Sequence, residues 1–167
     1  MLTTTTSTTL VDTLAYLVSA LVRLPPKLAA SFVCETYNPL SDTYGWRGSF
    51  QDGSEGACHG FLAAYTGAGY RRSFFAADVL SDPVYNFTGA PDGCHVHDDV
   101  WISGNLFRRG IRPYVVGVQN GMWPQESHRP YNKLSINSVE DMKGQQKRCL
   151  KYFNYFMEAG AEAAGAA

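Results

Sequence analysis

The segment from His95 to Val118 constrains the fold more than any other part of this chain. Asp98 or Asp99 suits a helix N-cap, Val100, Ile102, Leu106 and Phe107 supply an apolar face, and Gly110 supplies a C-terminal stop. A helix of about three turns is therefore expected. Directly after it, residues 111 to 118 form a β-rich run with Pro113 near its start, which predicts a strand that lies near a sheet edge or begins there. A helix feeding straight into a strand commits the region to an α/β or α+β layer structure.

The flanking sequence adds elements around this unit. Ser138-Val139-Glu140-Asp141 resembles a capping box, and Val139, Met142, Cys149, Leu150, Phe153, Phe156 and Met157 recur at helical spacing up to Gly160, which predicts a second main helix. From Gly60 to Phe75 small and aromatic residues alternate, the first part suits a buried strand, and Gly67 and Gly69 mark a bend or a close backbone approach. Residues 38 to 60, rich in Gly, Ser and Asp, read as loop, as does most of the Pro/Gly-punctuated stretch up to Gly93. Residues 1 to 30 form a poorly defined N-terminal segment, read either as a surface helix ending before Pro25-Pro26 or as a targeting peptide. Residues 161 to 167 read as a disordered tail.

The bulk numbers narrow the function classes. With 167 residues, 45% of them apolar and 13% aromatic, the chain suits one domain with a sizeable core. A formal charge of -1, without basic stretches interleaved with aromatics, argues against nucleic acid as a partner. The apolar run from Leu14 to Val22 is far shorter than the roughly 20 residues of a membrane span. Cys34, Cys58, Cys94 and Cys149 include no C-x-x-C pair, so neither a zinc ribbon nor a thioredoxin-type motif is present, and their redox state stays open. Asn86-Phe87-Thr88 is an N-glycosylation sequon and hints at a secretory lumen.

The cluster His95-Val96-His97-Asp98-Asp99 admits three explanations. It fits the H-x-H-x-D pattern of metal-dependent hydrolases, although only His59 and His128 remain elsewhere and Val100 stands where that motif usually ends in His. An acidic helix start is explained by capping and by the macrodipole, but capping needs one Asp and not two. The surplus carboxylate, with Trp101 beside it, has the make-up of a general base next to a sugar-binding aromatic.

The order CHGFLAAYTGAGYRRSFF, loop, HDDVWISGNLFRRGI, RPYVV resembles the acceptor-side half of a nucleotide-sugar glycosyltransferase of the GT-A fold, over roughly residues 58 to 118. The resemblance implies a partial GT-A-like α/β fold over residues 31 to 160, with strands packed on two main helices. It implies an inverting reaction with Asp99 as catalytic base, Asp98 holding the helix start or an acceptor hydroxyl, and Trp101 stacking on a sugar ring. Arg71 and Arg72, with Gly67 and Gly69 of the Gly-rich strand, would meet phosphate or acceptor, and His128 falls where some relatives supply a late metal ligand. Implied partners are a nucleotide-sugar donor and a carbohydrate or other hydroxyl acceptor, with membrane association only through N-terminal or further segments. The chain contains no D-x-D motif, so the donor half and its Mn²⁺ or Mg²⁺ are expected upstream, with no metal held by this chain alone. The same features fit a non-catalytic glycan-binding or structural remnant of such an enzyme, and the organelle is left open.

Overall fold

A computed structural model describes residues 10–38, 40–48, 55–117 and 141–154. They form a mixed α/β structure with three α-helices and two small sheets. In chain order these are α1 (Leu10–Arg23), β1 (Leu28–Ser31), β2 (Val33–Asn38), β3 (Thr43–Gly48), β4 (Gly56–Ala57), β5 (Phe61–Leu62), β6 (Ala68–Gly69), α2 (Asp98–Arg108), β7 (Arg112–Val115) and α3 (Met142–Tyr152), with short 3-10 turns between β5 and α2.

The four-stranded sheet runs β4-β7-β1-β6, and the three-stranded sheet runs β3-β2-β5. β1 and β7 are parallel, a pairing that requires a crossover, and α2 lies in that crossover. The chain changes sheet at Phe32, where the Ser31 hydroxyl donates to Gly67 O at 2.9 Å and accepts from Val33 N–H at 3.3 Å. β1 explains why no apolar alternation marks it in the sequence. Ala30 faces α1 with Leu17, Ala20 and Val116, while Ala29 faces the opposite layer with Leu62, Leu106 and Ile111. Both faces are covered, so the two central positions are filled by alanines and no polar–apolar alternation arises.

Several expectations need correction. The boundary expected at residue 30 falls inside β1, and α1, which does end before Pro25-Pro26, packs through Leu17 and Ala20 on the first sheet, making three helices and not two. The stretch read as loop from residue 38 contains β3, paired with β2 in register from Asn38↔Thr43 to Val33↔Gly48. Its turn is built by Asn38, whose Oδ1 accepts from Leu40 N–H at 2.9 Å, and by Asp42 at φ 53°. The strand expected after Gly60 is broken into β5, a 3-10 turn over Ala64–Thr66, and β6, because Gly67 at φ 103° reverses the chain.

β7 is second in its sheet, beside the two-residue edge strand β4, and so lies near an edge as expected. Arg112 N–H donates to Lys27 O on the β1 side, so the missing N–H of Pro113 falls on the β4 side. There β4 pairs only with Tyr114 and Val115, and Pro113 still accepts from Cys58 N–H through its carbonyl.

Two disulfides, Cys34–Cys58 and Cys94–Cys149, account for all four cysteines. The second ties the approach to α2 to α3, whose Leu150 and Phe153 pack against Val100 and Trp101. Gly104 makes that packing possible, since a Cβ there would sit 2.4 Å from the Phe153 ring. Of the capping box expected over Ser138 to Asp141, only Asp141 is described, and it precedes α3 at φ 55° without a side-chain cap bond where the box would place it inside the first turn. Residues 138–140, the end of the expected second helix beyond residue 154, His128 and the tail lie outside the described residues.

Candidate functional site

The acidic pair opens α2. His97 is the residue before the helix and caps nothing with its side chain, so Asp98 is not the N-cap expected from the sequence but the first helical residue, with an exposed side chain. Asp99 is the second. Its carboxylate turns back toward the 3-10 turn that follows β5, where Oδ2 accepts from Ala64 N–H at 3.2 Å. One helical turn further on, Ser103 Oγ accepts from Leu62 N–H at 3.1 Å, so the same face of α2 is fastened once to β5 and once to the 3-10 turn that follows it.

This environment acts on the Asp99 proton. Burial, then the neighbouring negative charge of Asp98, raises its pKa to about 7, against a smaller lowering by the Ala64 N–H and a further push from Glu35. Glu35, on β2, is itself raised by burial, and its Oε1 accepts from the Tyr65 hydroxyl at 3.3 Å. Ala64 and Tyr65 are consecutive, so the two carboxylates flank one short turn. Tyr65 is exposed, and burial together with Glu35 raises its hydroxyl to about 12. The Tyr70 hydroxyl is raised by burial and by the charges of Asp99 and Asp98, and it is buried without a hydrogen-bond partner among the described residues.

The other expected site residues are placed elsewhere or occupied. Trp101 is buried in the core, with its Nε1–H donating to Val84 O at 2.8 Å and its ring stacked on Phe87 and Tyr152 at 4.9 and 5.8 Å, so it offers no face to a sugar. Arg71 caps the end of α1, donating to Leu21 O and to Leu24 O. Arg72 is tied to its own turn by donation to Phe75 O, Ala76 O and Ala77 O. Gly67 and Gly69 let α1 approach, since a Cβ on them would lie 3.2 Å from Leu17 and 2.9 Å from Leu21. The glycines of this strand thus serve packing, as the close-approach reading anticipated.

His97 Nε2 meets Met142 O at 3.2 Å, and burial, outweighing that contact and Asp98, lowers its pKa. His95 is exposed, and among the described residues no three His, Cys, Asp or Glu side chains form a group that could hold a metal ion. At the other end of α2, Asp82 is fully buried and accepts from Ala76 N–H at 2.5 Å, from Val84 N–H at 2.9 Å and from Arg109 twice. The Arg109 guanidinium, helped by the two backbone bonds and opposed by desolvation, holds the Asp82 carboxyl well below the usual range.

Glu35, Tyr65, Tyr70 and Asp82 were not singled out from the sequence. Only Tyr65 and Tyr70 lay within a stretch already marked, on either side of Gly67 and Gly69. Compared with protein-family models, curated protein sequences and solved structures, the chain matches none.

Proposed function

We propose that this chain is the acceptor-side part of a GT-A-type nucleotide-sugar glycosyltransferase and that Asp99 is the base of an inverting transfer. The observation that carries the reading is a single one: a half-buried carboxylate at a helix start, held by one backbone N–H and poised at a pKa of about 7. A base works best when its pKa lies near the working pH, and structural carboxylates that merely cap a helix are driven the other way.

In the proposed step the acceptor hydroxyl attacks the anomeric carbon of the donor and loses its proton to Asp99. The new oxygen–carbon bond forms as the bond to the donor diphosphate breaks, and the nucleoside diphosphate leaves. Glu35 and Tyr65 supply an acceptor and a donor for further sugar hydroxyls around the attacking one. Among the described residues no group of three His, Cys, Asp or Glu side chains could hold the Mn²⁺ or Mg²⁺ that the resemblance brings with it.

The test has two readouts. Saturation-transfer NMR with a panel of glycosides should show acceptor binding by this chain, whereas calorimetry with nucleotide sugars and Mn²⁺ should show weak binding or none. Joined to a donor-binding half, Asp99→Asn should cut turnover by about 10²-fold or more. Acceptor binding with turnover unchanged by Asp99→Asn would overturn the role of the base, and micromolar nucleotide binding by the chain alone would overturn the assignment to the acceptor side.

A further inference from the structure

We propose that Asn86 is an N-glycosylation site and that the chain matures in an oxidising lumen where a lipid-linked oligosaccharide is the glycan donor. The inference is independent of the glycosyltransferase reading and stands on three separate observations.

First, Asn86-Phe87-Thr88 is the only N-x-S/T tripeptide in the sequence, and its central residue is not proline. Secondly, the fold presents that tripeptide outward. Phe87 is half-buried with its ring stacked on Trp101 at 4.9 Å, and this anchors the middle of the sequon to the core. Asn86 and Thr88 on either side are both exposed. Asn86 has extended backbone, φ -109° and ψ 103°, and its Oδ1 accepts from Thr88 N–H at 2.9 Å. That bond engages the amide oxygen and not Nδ2, the atom that would carry the glycan. Gly89, which ends the segment at φ 76°, has open space where a side chain would be. Thirdly, all four cysteines are paired, in two disulfides whose sulfur-bearing residues are buried. Persistent structural disulfides belong to oxidising compartments, and the secretory lumen is also where N-glycan transfer takes place.

The step itself balances without an oxidant. Asn86 Nδ2 forms a bond to C1 of the oligosaccharide as the C1–O bond to the lipid diphosphate breaks. The lipid diphosphate departs, and the amide nitrogen gives one proton to a base of the transferring enzyme.

The full chain, produced in a eukaryotic secretory host, is digested with peptide N-glycosidase in heavy-oxygen water and its peptides are mapped by mass spectrometry. The expected result is the heavy-oxygen mark of Asn-to-Asp conversion at position 86, in molecules that also yield the disulfide-linked Cys94–Cys149 peptide. Asn86→Gln and Thr88→Ala should abolish the mark, and Thr88→Ser should keep it. Because the Asn86 side chain is exposed, Asn86→Gln should leave near-ultraviolet circular dichroism unchanged, so that loss of the mark is not loss of the fold. An unmodified Asn86 in lumenal, disulfide-bonded protein would overturn the proposal. So would recovery of the chain from the cytosol with reduced cysteines, or a mark that survives Asn86→Gln.

Discussion

At the scale of single residues, two aspartates with opposite proton affinities define the molecule. Asp99 is raised from 3.8 to about 7, chiefly by burial. Its folded form therefore binds the proton more tightly than the unfolded chain does, and the charged carboxylate is a growing cost to stability as pH rises from about 4 to about 7. Asp99→Asn removes that charge while keeping an acceptor for Ala64 N–H. Thermal unfolding at pH 8 should give the variant a Tm equal to or above that of the parent, with the difference shrinking as pH is lowered, even as turnover is lost. Asp82 is held below its ordinary value of 3.8, first by Arg109, so its contribution is present above that pH and lost as pH falls through it. Asp82→Ala leaves Ala76 N–H, Val84 N–H and the guanidinium without their acceptor, and denaturant unfolding should report a loss of about 3 kcal/mol.

At the scale of elements, α2 is positioned by what it packs against. Gly104→Ala drives a methyl into the Phe153 ring, and separation of α2 from α3 should cost about 1–3 kcal/mol in denaturant unfolding. Replacing both Cys94 and Cys149 by Ala opens a connection with a sequence separation of 55 and should cost about 2–4 kcal/mol. Since Cys94 lies just before the acidic pair, that variant should also let water reach Asp99 and lower its pKa.

The same elements show what was legible in the sequence. α2 was readable because its acidic start, its apolar face and Gly110 at φ 74° are all local signals. α3 was readable through its apolar spacing, and β7 through its β-branched run. β1 was not, because burial on both faces removes the period-2 pattern. β3 was hidden by Thr, Gly and Arg in a strand whose partner, β2, reads no more clearly. The site was half legible. Asp99 is marked by its neighbour, whereas Glu35 reaches the same turn only through the pairing of β2 with β5, which no local pattern records. The ligand roles of Arg71 and Arg72, and in part that of Trp101, came from the resemblance, whereas residue type alone pointed as readily to packing under the helix for Trp101, which is where the structure places it.

At the scale of the whole molecule, two sheets, two disulfides and three helices converge on one consequence. α1 and the β1–β7 pairing fix the sheet on which α2 rests, α3 and Cys94–Cys149 fix its start, and β5 with the Ala64 turn receives the Asp99 carboxylate. Because the contribution of Asp82 is complete once pH reaches about 4 and Asp99 costs stability progressively from there toward about 7, unfolding free energy followed across pH should be greatest near 4 and fall as pH rises toward 7. The central claim, that the fold poises Asp99 as a base, is tested most directly by titrating its side-chain carboxyl carbon by ¹³C NMR in the intact, disulfide-bonded chain, with Asp99→Asn used to assign the signal. A midpoint near 7, falling in a variant that replaces Asp98 by Asn, is the predicted result; a midpoint at the ordinary value of 3.8, unmoved by Asp98→Asn, would contradict it.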